Sequence, residues 1–232
     1  MKDCEIIFKN VTVEFLIYDS YSSSIKGKIL KSFSKKKISS VTALNNLSFQ
    51  IKNGERVALF GPNGSGKTTL LRAINGVFKP KNGTINVKGH LSPLIDLTLS
   101  MDEDLSGFEN IFLRGYFLEL TKKKIEEKLK EIIDFSGLGD RIFSPLKTYS
   151  SGMKLRLAFS VVLFFTKDIL TLDEWLSVGD DEFKKKSEKI LLNRIQNSKI
   201  LVLGTHSTEI IKKVCNRIII LEKGNIVEDK KI

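Results

Sequence analysis

Apolar and polar residues alternate along the first part of the chain, and this alternation predicts β-strands. The predicted strands cover residues 5–17, 47–51, 56–60 and 84–88. The polar segment 52–55, which contains Asn53 and Gly54, would join the second and third of these strands into a hairpin. An apolar helix is expected directly after residue 69.

Beyond residue 105 the apolar residues follow a helical spacing instead. Three helices are predicted there, around residues 111–120, 125–133 and 152–165. Strands and helices then alternate to the end: strand 169–172, helix 181–196, strand 200–203, a short helix from Ser207 and strand 217–221. Such alternation is typical of a parallel sheet, so the predicted fold class is α/β with an inserted helical block.

A glycine-rich loop follows the strand 56–60 and matches the pattern GxxxxGK[ST]. We call residues 61–69 the phosphate loop: Gly61, Pro62, Asn63, Gly64, Ser65, Gly66, Lys67, Thr68 and Thr69. The glycines let backbone N–H groups face a phosphate chain, and the next helix directs its positive dipole end at the same anions. Lys67 would reach the β- and γ-phosphates, and Thr68 would offer its hydroxyl to Mg²⁺. A nucleoside triphosphate is the ligand class that this loop predicts.

Two carboxylates, Asp173 and Glu174, end the apolar strand that begins at Ile169. At the carboxyl end of a strand beside the phosphate loop, Asp173 would bind Mg²⁺ and Glu174 could polarise an attacking water. An acid pair after a strand more often marks a solvated turn, so the pair gains its meaning only together with the phosphate loop.

Two further segments have the chemistry of anion contacts. Ser150, Ser151 and Gly152, here called the signature segment, precede an apolar helix and could present hydroxyls and N–H groups to an anion. Taken alone, they are more simply a helix cap. His206 follows the strand 200–203 and could contact a γ-phosphate, although a histidine in a loop is not specific by itself.

Composition narrows the class of protein. The chain has 232 residues, 41% hydrophobic and 28% charged, as in ordinary globular proteins. No apolar run is long enough to span a bilayer and no secretory signal begins the chain, so a cytoplasmic protein is expected, with any membrane role requiring a partner. The two cysteines, Cys4 and Cys215, give no disulfide or metal pattern.

The net charge of +11 is unevenly distributed. No acid occurs between Asp19 and Glu55, and the lysine- and serine-rich stretch 20–40 reads as an inserted loop. A solvated surface is one interpretation. Attraction to acidic lipid headgroups or to a phosphate-bearing substrate is the other.

The order of these motifs resembles the ATP-binding-cassette (ABC) ATPase family over residues 5–228. The resemblance implies a P-loop fold with a mixed sheet core, an antiparallel β lobe and a helical subdomain. One domain would cover 1–232, with its core at about 1–98 and 167–232, the helical part at about 99–166 and the insertion at 20–40. It also implies a head-to-tail dimer, in which ATP lies between the phosphate loop of one copy and Ser150, Ser151 and Gly152 of the other. Glu174 would then be the general base, His206 the γ-phosphate contact and Asp180 a link across the dimer.

Several segments resemble the polysaccharide exporters within this family. They are Tyr149-Ser-Ser-Gly-Met153, Leu105-Ser-Gly-Phe-Glu-Asn110, the Val-Gly-Asp ending at Asp180, and the 20–40 insertion. The resemblance implies export of a lipid-linked O-antigen, capsule or teichoic acid chain. The partners would be a second copy and a membrane permease, at the cytoplasmic face of the inner or plasma membrane. With no chain after 232 for a carbohydrate-binding domain, we expect no selection of a glycan end group by this subunit.

Two positions depart from the family pattern. Most cassettes place a magnesium-contacting glutamine between phosphate loop and signature, but Gln50 and Gln196 lie outside that window. Asp96 is the candidate replacement as a metal ligand. The aromatic residue expected to stack on adenine is best matched by Phe15, with Tyr18 second.

Two rival functions remain at this point. The high positive charge would suit a soluble ABC-type ATPase that acts on nucleic acid or the ribosome. Such proteins usually carry two cassettes or a long coiled coil, which this sequence lacks, so no nucleic-acid partner is expected. A cassette that binds ATP without hydrolysing it is disfavoured, because the catalytic residue types are intact.

Overall fold

The computed structural model describes residues 3–18, 38–97, 101–165, 167–174 and 181–232. At its centre is a six-stranded sheet in the order β5-β6-β7-β3-β8-β9. The strands are β3 (Arg56–Phe60), β5 (Leu91–Leu94), β6 (Ile169–Asp173), β7 (Ile200–Thr205), β8 (Arg217–Glu222) and β9 (Asn225–Lys231). The first five strands in that order are parallel, and β9 runs antiparallel to β8. The mixed central sheet is therefore present.

A second, antiparallel sheet has the order β2-β1-β4, formed by β1 (Glu5–Tyr18), β2 (Ile38–Lys52) and β4 (Asn82–Lys88). This arrangement corrects the predicted hairpin of 47–51 with 56–60. The residues of β2 pair with β1 along its length, whereas β3 lies in the other sheet between β7 and β8. Segment 52–55 is a turn that crosses between the two sheets, and the local turn chemistry could not show which partner each strand takes.

Helices cover the sheets and form a separate helical region. Beside the central sheet lie α1 (Lys67–Ile74), α5 (Asp181–Asn197) and α6 (Thr208–Val214). Between β5 and β6 the chain forms α2 (Gly107–Phe117), α3 (Lys122–Ser136) and α4 (Ser151–Phe164), with 3₁₀ turns at Gly139–Phe143 and Leu146–Thr148. We call residues 101–165 the helical subdomain. Ile111, Ile125 and Leu157 are fully buried in a core of its own.

The central sheet is buried on both faces, and this explains its continuous apolar strands. In β7, Ile200 and Val202 pack into the core shared with the antiparallel sheet and α1. The alternate residues Leu201 and Leu203 pack into the opposite core with α5. Alternate residues of such a strand thus face two different apolar cores. The ends of the strand are left as the places where polar side chains can lie.

Two strands were not predicted from the sequence. β5 has only four residues and contains Pro93, which is tolerated because β5 is an edge strand. β9 has five polar residues out of seven, and all of its residues except Ile226 are exposed along the other edge. Both segments become strands because they pair with an adjacent strand of the sheet, and their own residues do not show the alternation that predicts a strand. In the part of the chain that the structure describes, no helix has the length and apolar character needed to cross a membrane.

Candidate functional site

The phosphate loop connects β3 to α1 and is packed tightly against its surroundings. A Cβ added at Gly61 would lie 2.3 Å from the carbonyl oxygen of Leu221, so no larger residue fits there. Gly66, at the N-terminus of α1, has φ +110° and makes no side-chain cap hydrogen bond. Glycine is required in that conformation, and the end of α1 keeps the N–H groups and the positive dipole that an anion needs.

Lys67 and Thr68 take defined positions at the start of α1. Lys67 is buried, with 7% of its surface exposed. Its ammonium donates to the carbonyl oxygens of Gly61 at 2.7 Å and Pro62 at 3.0 Å. The Thr68 hydroxyl donates to Asp173 Oδ2 at 2.6 Å. These contacts bring the end of β6 and the start of α1 together, although 105 residues separate them.

The two carboxylates at the end of β6 point to different neighbours. Burial raises the pKa of Asp173, an effect that the hydrogen bond from Thr68 opposes. Glu174 has the left-handed φ of +66°, and its N–H donates to the Gly204 carbonyl at 2.8 Å. Its carboxylate lies 3.1 Å from His206 Nδ1, so Glu174 and His206 are in contact at the edge of the sheet.

The start of α1 and the two carboxylates border one cavity of about 600 Å³, and His206 lies outside its lining. Its walls comprise most of the phosphate loop, the two carboxylates, residues 41–43 of β2 and the turn Lys223–Gly224. The last two segments were missed by sequence reasoning. The only hint in the sequence was the glycine at position 224. The structure explains it, because a Cβ there would lie 2.6 Å from the Ala43 carbonyl oxygen, but the sequence cannot show that these segments meet.

The signature segment lies elsewhere, at the N-terminus of α4 in the helical subdomain. The Ser150 hydroxyl accepts a hydrogen bond from the N–H of Met153 at 3.3 Å, as expected of a helix cap. Ser150 and Ser151 are exposed and Gly152 is half-buried. None of the three lines the cavity described above. Within one chain, the N-terminus of α4 is therefore not part of the cavity at the N-terminus of α1.

Three other predicted site residues remain predictions. Phe15 lies opposite Val41, a residue of the cavity wall, and its ring packs edge-on against Phe78 at 4.9 Å. Both Asp96 oxygens accept hydrogen bonds from Arg72, at 2.7 and 2.8 Å. Asp180 and most of the 20–40 insertion lie outside the described residues, as does the side chain of Tyr18.

The donor set fits Mg²⁺, a cation that prefers oxygen and keeps much of its water. The Thr68 hydroxyl and the Asp173 carboxylate offer oxygens from two elements beside the phosphate loop. Among the described residues no cluster of three or more His, Cys, Asp or Glu side chains could hold a metal alone. Two protein oxygens next to a phosphate site suit a metal that completes its shell with phosphate and water.

Comparison with known proteins identifies the family. A family profile described as "ABC transporter" matches residues 44–177. The O-antigen export system ATP-binding protein RfbE of Yersinia enterocolitica is 38% identical, covering 97% of both chains. The teichoic acids export ATP-binding protein TagH of Bacillus anthracis is also 38% identical, over 97% of this chain but only 40% of its own length. The chain belongs to the ABC transporter family.

Solved structures agree on the fold. An ATP-binding cassette solved as a dimer in a post-hydrolysis state with ADP and Pi superposes with a TM-score of 0.72, at 21% identity, over 97% of this chain and 98% of the other. The predicted P-loop fold, with its mixed core, antiparallel sheet and inserted helices, is confirmed.

Proposed function

We propose that this ABC transporter subunit binds Mg²⁺-ATP and hydrolyses it to drive export of a lipid-linked polysaccharide. The cargo would be of the O-antigen, capsule or teichoic acid type. The observation that carries the proposal is that one cavity collects a buried lysine, a threonine–aspartate contact and a glutamate beside a histidine. The relatives named for O-antigen and teichoic acid export support the choice of cargo.

Binding begins with the exchange of hydrogen-bond acceptors at Lys67. In the structure its ammonium donates to two loop carbonyls, which are neutral acceptors. A triphosphate offers charged oxygens to the same donor, and a charge-assisted hydrogen bond is about twice as strong as a neutral one. The uncapped end of α1 adds backbone N–H groups. When bound, Mg²⁺ would neutralise phosphate charge, and Thr68 and Asp173 are the residues that would hold it.

Hydrolysis requires a base that is held in place. Glu174 is fixed on the backbone side by its N–H bond to Gly204 and on the side-chain side by His206. As a water oxygen bonds to the γ-phosphorus, its proton goes to the Glu174 carboxylate, and the bond from phosphorus to the bridging oxygen of ADP breaks. His206 keeps the carboxylate oriented and can donate to the γ-phosphate.

The site is completed by a second copy of the chain. Ser150 and Ser151 are exposed and Gly152 is half-buried on the helical subdomain, and none of the three lines the cavity of its own chain. In a head-to-tail dimer they would face the partner's bound nucleotide, with hydroxyls and N–H groups directed at its γ-phosphate. ATP would then hold two chains together, and hydrolysis would release them.

A permease would couple this cycle to transport. We place the chain at the cytoplasmic face of the membrane, bound to an integral membrane partner, as the export-system names of its relatives suggest. The basic stretch 20–40 suits an anionic neighbour such as lipid headgroups or a carrier phosphate.

A deletion strain tests the proposed function. Loss of the gene should remove one surface glycan and leave its precursor inside the cell. The wild-type chain should restore export and a Glu174→Gln chain should not, although both are expected in the membrane fraction when the permease is present. Intact glycan in the deletion strain, together with salt-sensitive retention on ribosomes or DNA, would contradict the proposal and favour a nucleic-acid role.

A further inference from the structure

Consecutive residues of one chain segment contact both oxygens of the Glu174 carboxylate. His206 Nδ1 lies 3.1 Å from Oε1, and the Thr205 hydroxyl donates to Oε2 at 3.5 Å. The backbone of the same segment takes part, because the Gly204 carbonyl accepts the Glu174 N–H at 2.8 Å. We call residues 204–206 the β7 end. It contacts Glu174 at three points.

The sheet explains why the β7 end reaches this glutamate. β6 and β7 run parallel, and Asp173 lies opposite Gly204, so the residues that follow both positions emerge side by side. A Cβ at position 204 would lie 3.0 Å from Asp173 Oδ1, so the glycine leaves room for the first carboxylate. Asp173 and Glu174 are therefore both adjacent to the β7 end.

The Thr205 hydroxyl is placed to donate to this glutamate. Thr205 is fully buried, and its oxygen accepts a hydrogen bond from the Ser207 N–H at 3.1 Å. A hydroxyl offers one hydrogen and two lone pairs, so this bond occupies a lone pair and leaves the hydrogen for Glu174 Oε2. The distance of 3.5 Å is long, but hydrogen bonds of catalytic groups often tighten when substrate binds.

We propose that Thr205 is a positioning residue, which holds Glu174 Oε2 while His206 holds Oε1. The inference rests on the proposed function, because it takes Glu174 to be the base. The last side-chain torsion of a glutamate is broad, so a carboxylate held at one oxygen can still rotate. A contact at each oxygen fixes the carboxylate plane relative to the cavity that Glu174 borders. Each oxygen keeps a second lone pair for the proton of the attacking water.

Two pairs of variants isolate the hydroxyl. Thr205→Val removes it at nearly constant volume, and Thr205→Ala removes it relative to Thr205→Ser. Thr205→Val should lower kcat by about tenfold, the low end for a hydrogen bond to a charged group. Thr205→Ser should keep most of the wild-type kcat, and Thr205→Ala should fall well below it. ATP affinity, measured by isothermal titration, should not change, because Thr205 does not line the cavity.

The serine and alanine variants give the answer if Thr205→Val does not fold. Wild-type kcat in Thr205→Val, or equal kcat in Thr205→Ser and Thr205→Ala, would overturn the positioning role. A loss of ATP affinity with unchanged kcat would overturn it as well.

The Glu174→Gln background shows whether the hydroxyl acts through the base. Thr205→Val should leave the residual turnover of Glu174→Gln unchanged, because no carboxylate remains to be oriented. The same tenfold loss in both backgrounds would mean that the hydroxyl acts independently of Glu174, and this result would overturn the proposal.

Thr171→Val is the matched control. Thr171 is equally buried on the adjacent strand β6, and its hydroxyl bonds to the Asn75 side chain. This variant should be less stable in urea unfolding and should keep the wild-type kcat. An equal loss of kcat in Thr171→Val would show that any buried hydroxyl of the sheet has this effect, and would overturn the specific role of Thr205.

Glu174→Gln also separates the two possible failures. Wild-type turnover in Glu174→Gln would show that the base assigned in the proposed function is wrong, and the positioning role would fail with it. An inactive Glu174→Gln together with a fully active Thr205→Val would overturn the positioning role alone.

Discussion

The two ends of β6 carry aspartates in opposite electrostatic situations. Asp168, just before the strand, lies 2.7 Å from the Lys199 ammonium and 3.1 Å from His90 Nδ1. The hydrogen bond from Lys199 is the main reason why the pKa of Asp168 falls to about 2. Asp173, at the other end, is raised in pKa by burial, and the neighbouring Glu174 raises it further. One strand therefore has a paired carboxylate at one end and an under-compensated one at the other.

The two aspartates therefore differ in what their charge does: the Asp168 carboxylate stabilises the fold, whereas the Asp173 carboxylate opposes it in the absence of a ligand. The Asp168 contact joins the start of β6 to β7 and is satisfied within the chain. At the Asp173 end, a second acidic residue follows directly, and this residue, Glu174, adopts a left-handed φ. Strain and unbalanced negative charge of this kind are typical of functional sites, where a bound cation supplies the missing interaction.

The largest effect is expected from Lys67→Ala. Removing a buried cation that contacts phosphate costs roughly 2–5 kcal/mol, which corresponds to about 30-fold to 5,000-fold in ATP affinity. Isothermal titration with ATP and Mg²⁺ measures it, with Lys128→Ala, on the surface of α3 and outside the cavity lining, as the control. Normal ATP affinity in Lys67→Ala would overturn the assignment of the phosphate loop.

Glu174→Gln should lower turnover by about 10²-fold or more, because the amide cannot accept the water proton. ATP binding should persist, so the variant should accumulate as an ATP-bound dimer that light scattering detects. The control is Glu228→Gln on the exposed strand β9, which should have wild-type turnover. A monomer in saturating ATP and Mg²⁺ would count against the shared site.

Mixing two inactive chains sharpens the comparison between phosphate loop and signature segment. Ser151→Glu should abolish hydrolysis by placing a carboxylate against the partner's phosphates, and Lys67→Ala abolishes it by losing ATP. An equal mixture should recover about a quarter of wild-type activity, since half of the dimers are mixed and each has one intact site. No recovery in mixtures that contain dimers would contradict an independently active site built from the phosphate loop of one chain and the signature segment of the other.

Asp168→Asn should destabilise the nucleotide-free fold by about 1 kcal/mol at pH 7, allowing for partial exposure of the pair. The folded-state pKa lies below the unfolded value, so this stabilisation is present above about pH 4 and fades as the pH falls toward 2. Urea unfolding at several pH values measures it. Equal loss of stability at pH 7 and at pH 2.5 would contradict the electrostatic origin.

Asp173→Asn should have the opposite and smaller effect. A raised folded-state pKa means that the ionised group opposes folding above its unfolded pKa, and that the opposition weakens as the pH falls through the folded value. The variant should therefore be more stable than wild type at pH 7 without nucleotide, by roughly 0.5 kcal/mol, as at other functional sites. Urea unfolding should show this gain shrinking in mildly acidic buffer. A less stable variant at pH 7 would show that the Thr68 contact outweighs the burial of charge.

Local patterns predicted the elements that carry chemistry. The phosphate loop, the strand ending in Asp173 and Glu174, and the helix after Ser150 were all identified, because a glycine-rich loop or an apolar strand is encoded by adjacent residues. The predicted hairpin of 47–51 with 56–60 was wrong, and β5 and β9 were missed. Strand pairing and edge strands depend on residues far apart in sequence, which periodicity does not record.

The sequence by itself determined the ligand class and the family, since the phosphate loop, the signature segment and the acid pair are short motifs whose chemistry depends on adjacent residues. Only the tertiary structure decided which of them meet. It brought Thr68 to Asp173, His206 to Glu174 and Arg72 to Asp96, and it left Ser151 on a separate surface. The physical reason is that parallel strands bring their carboxyl ends to one edge, whereas the helical subdomain packs around its own core and carries the signature segment with it.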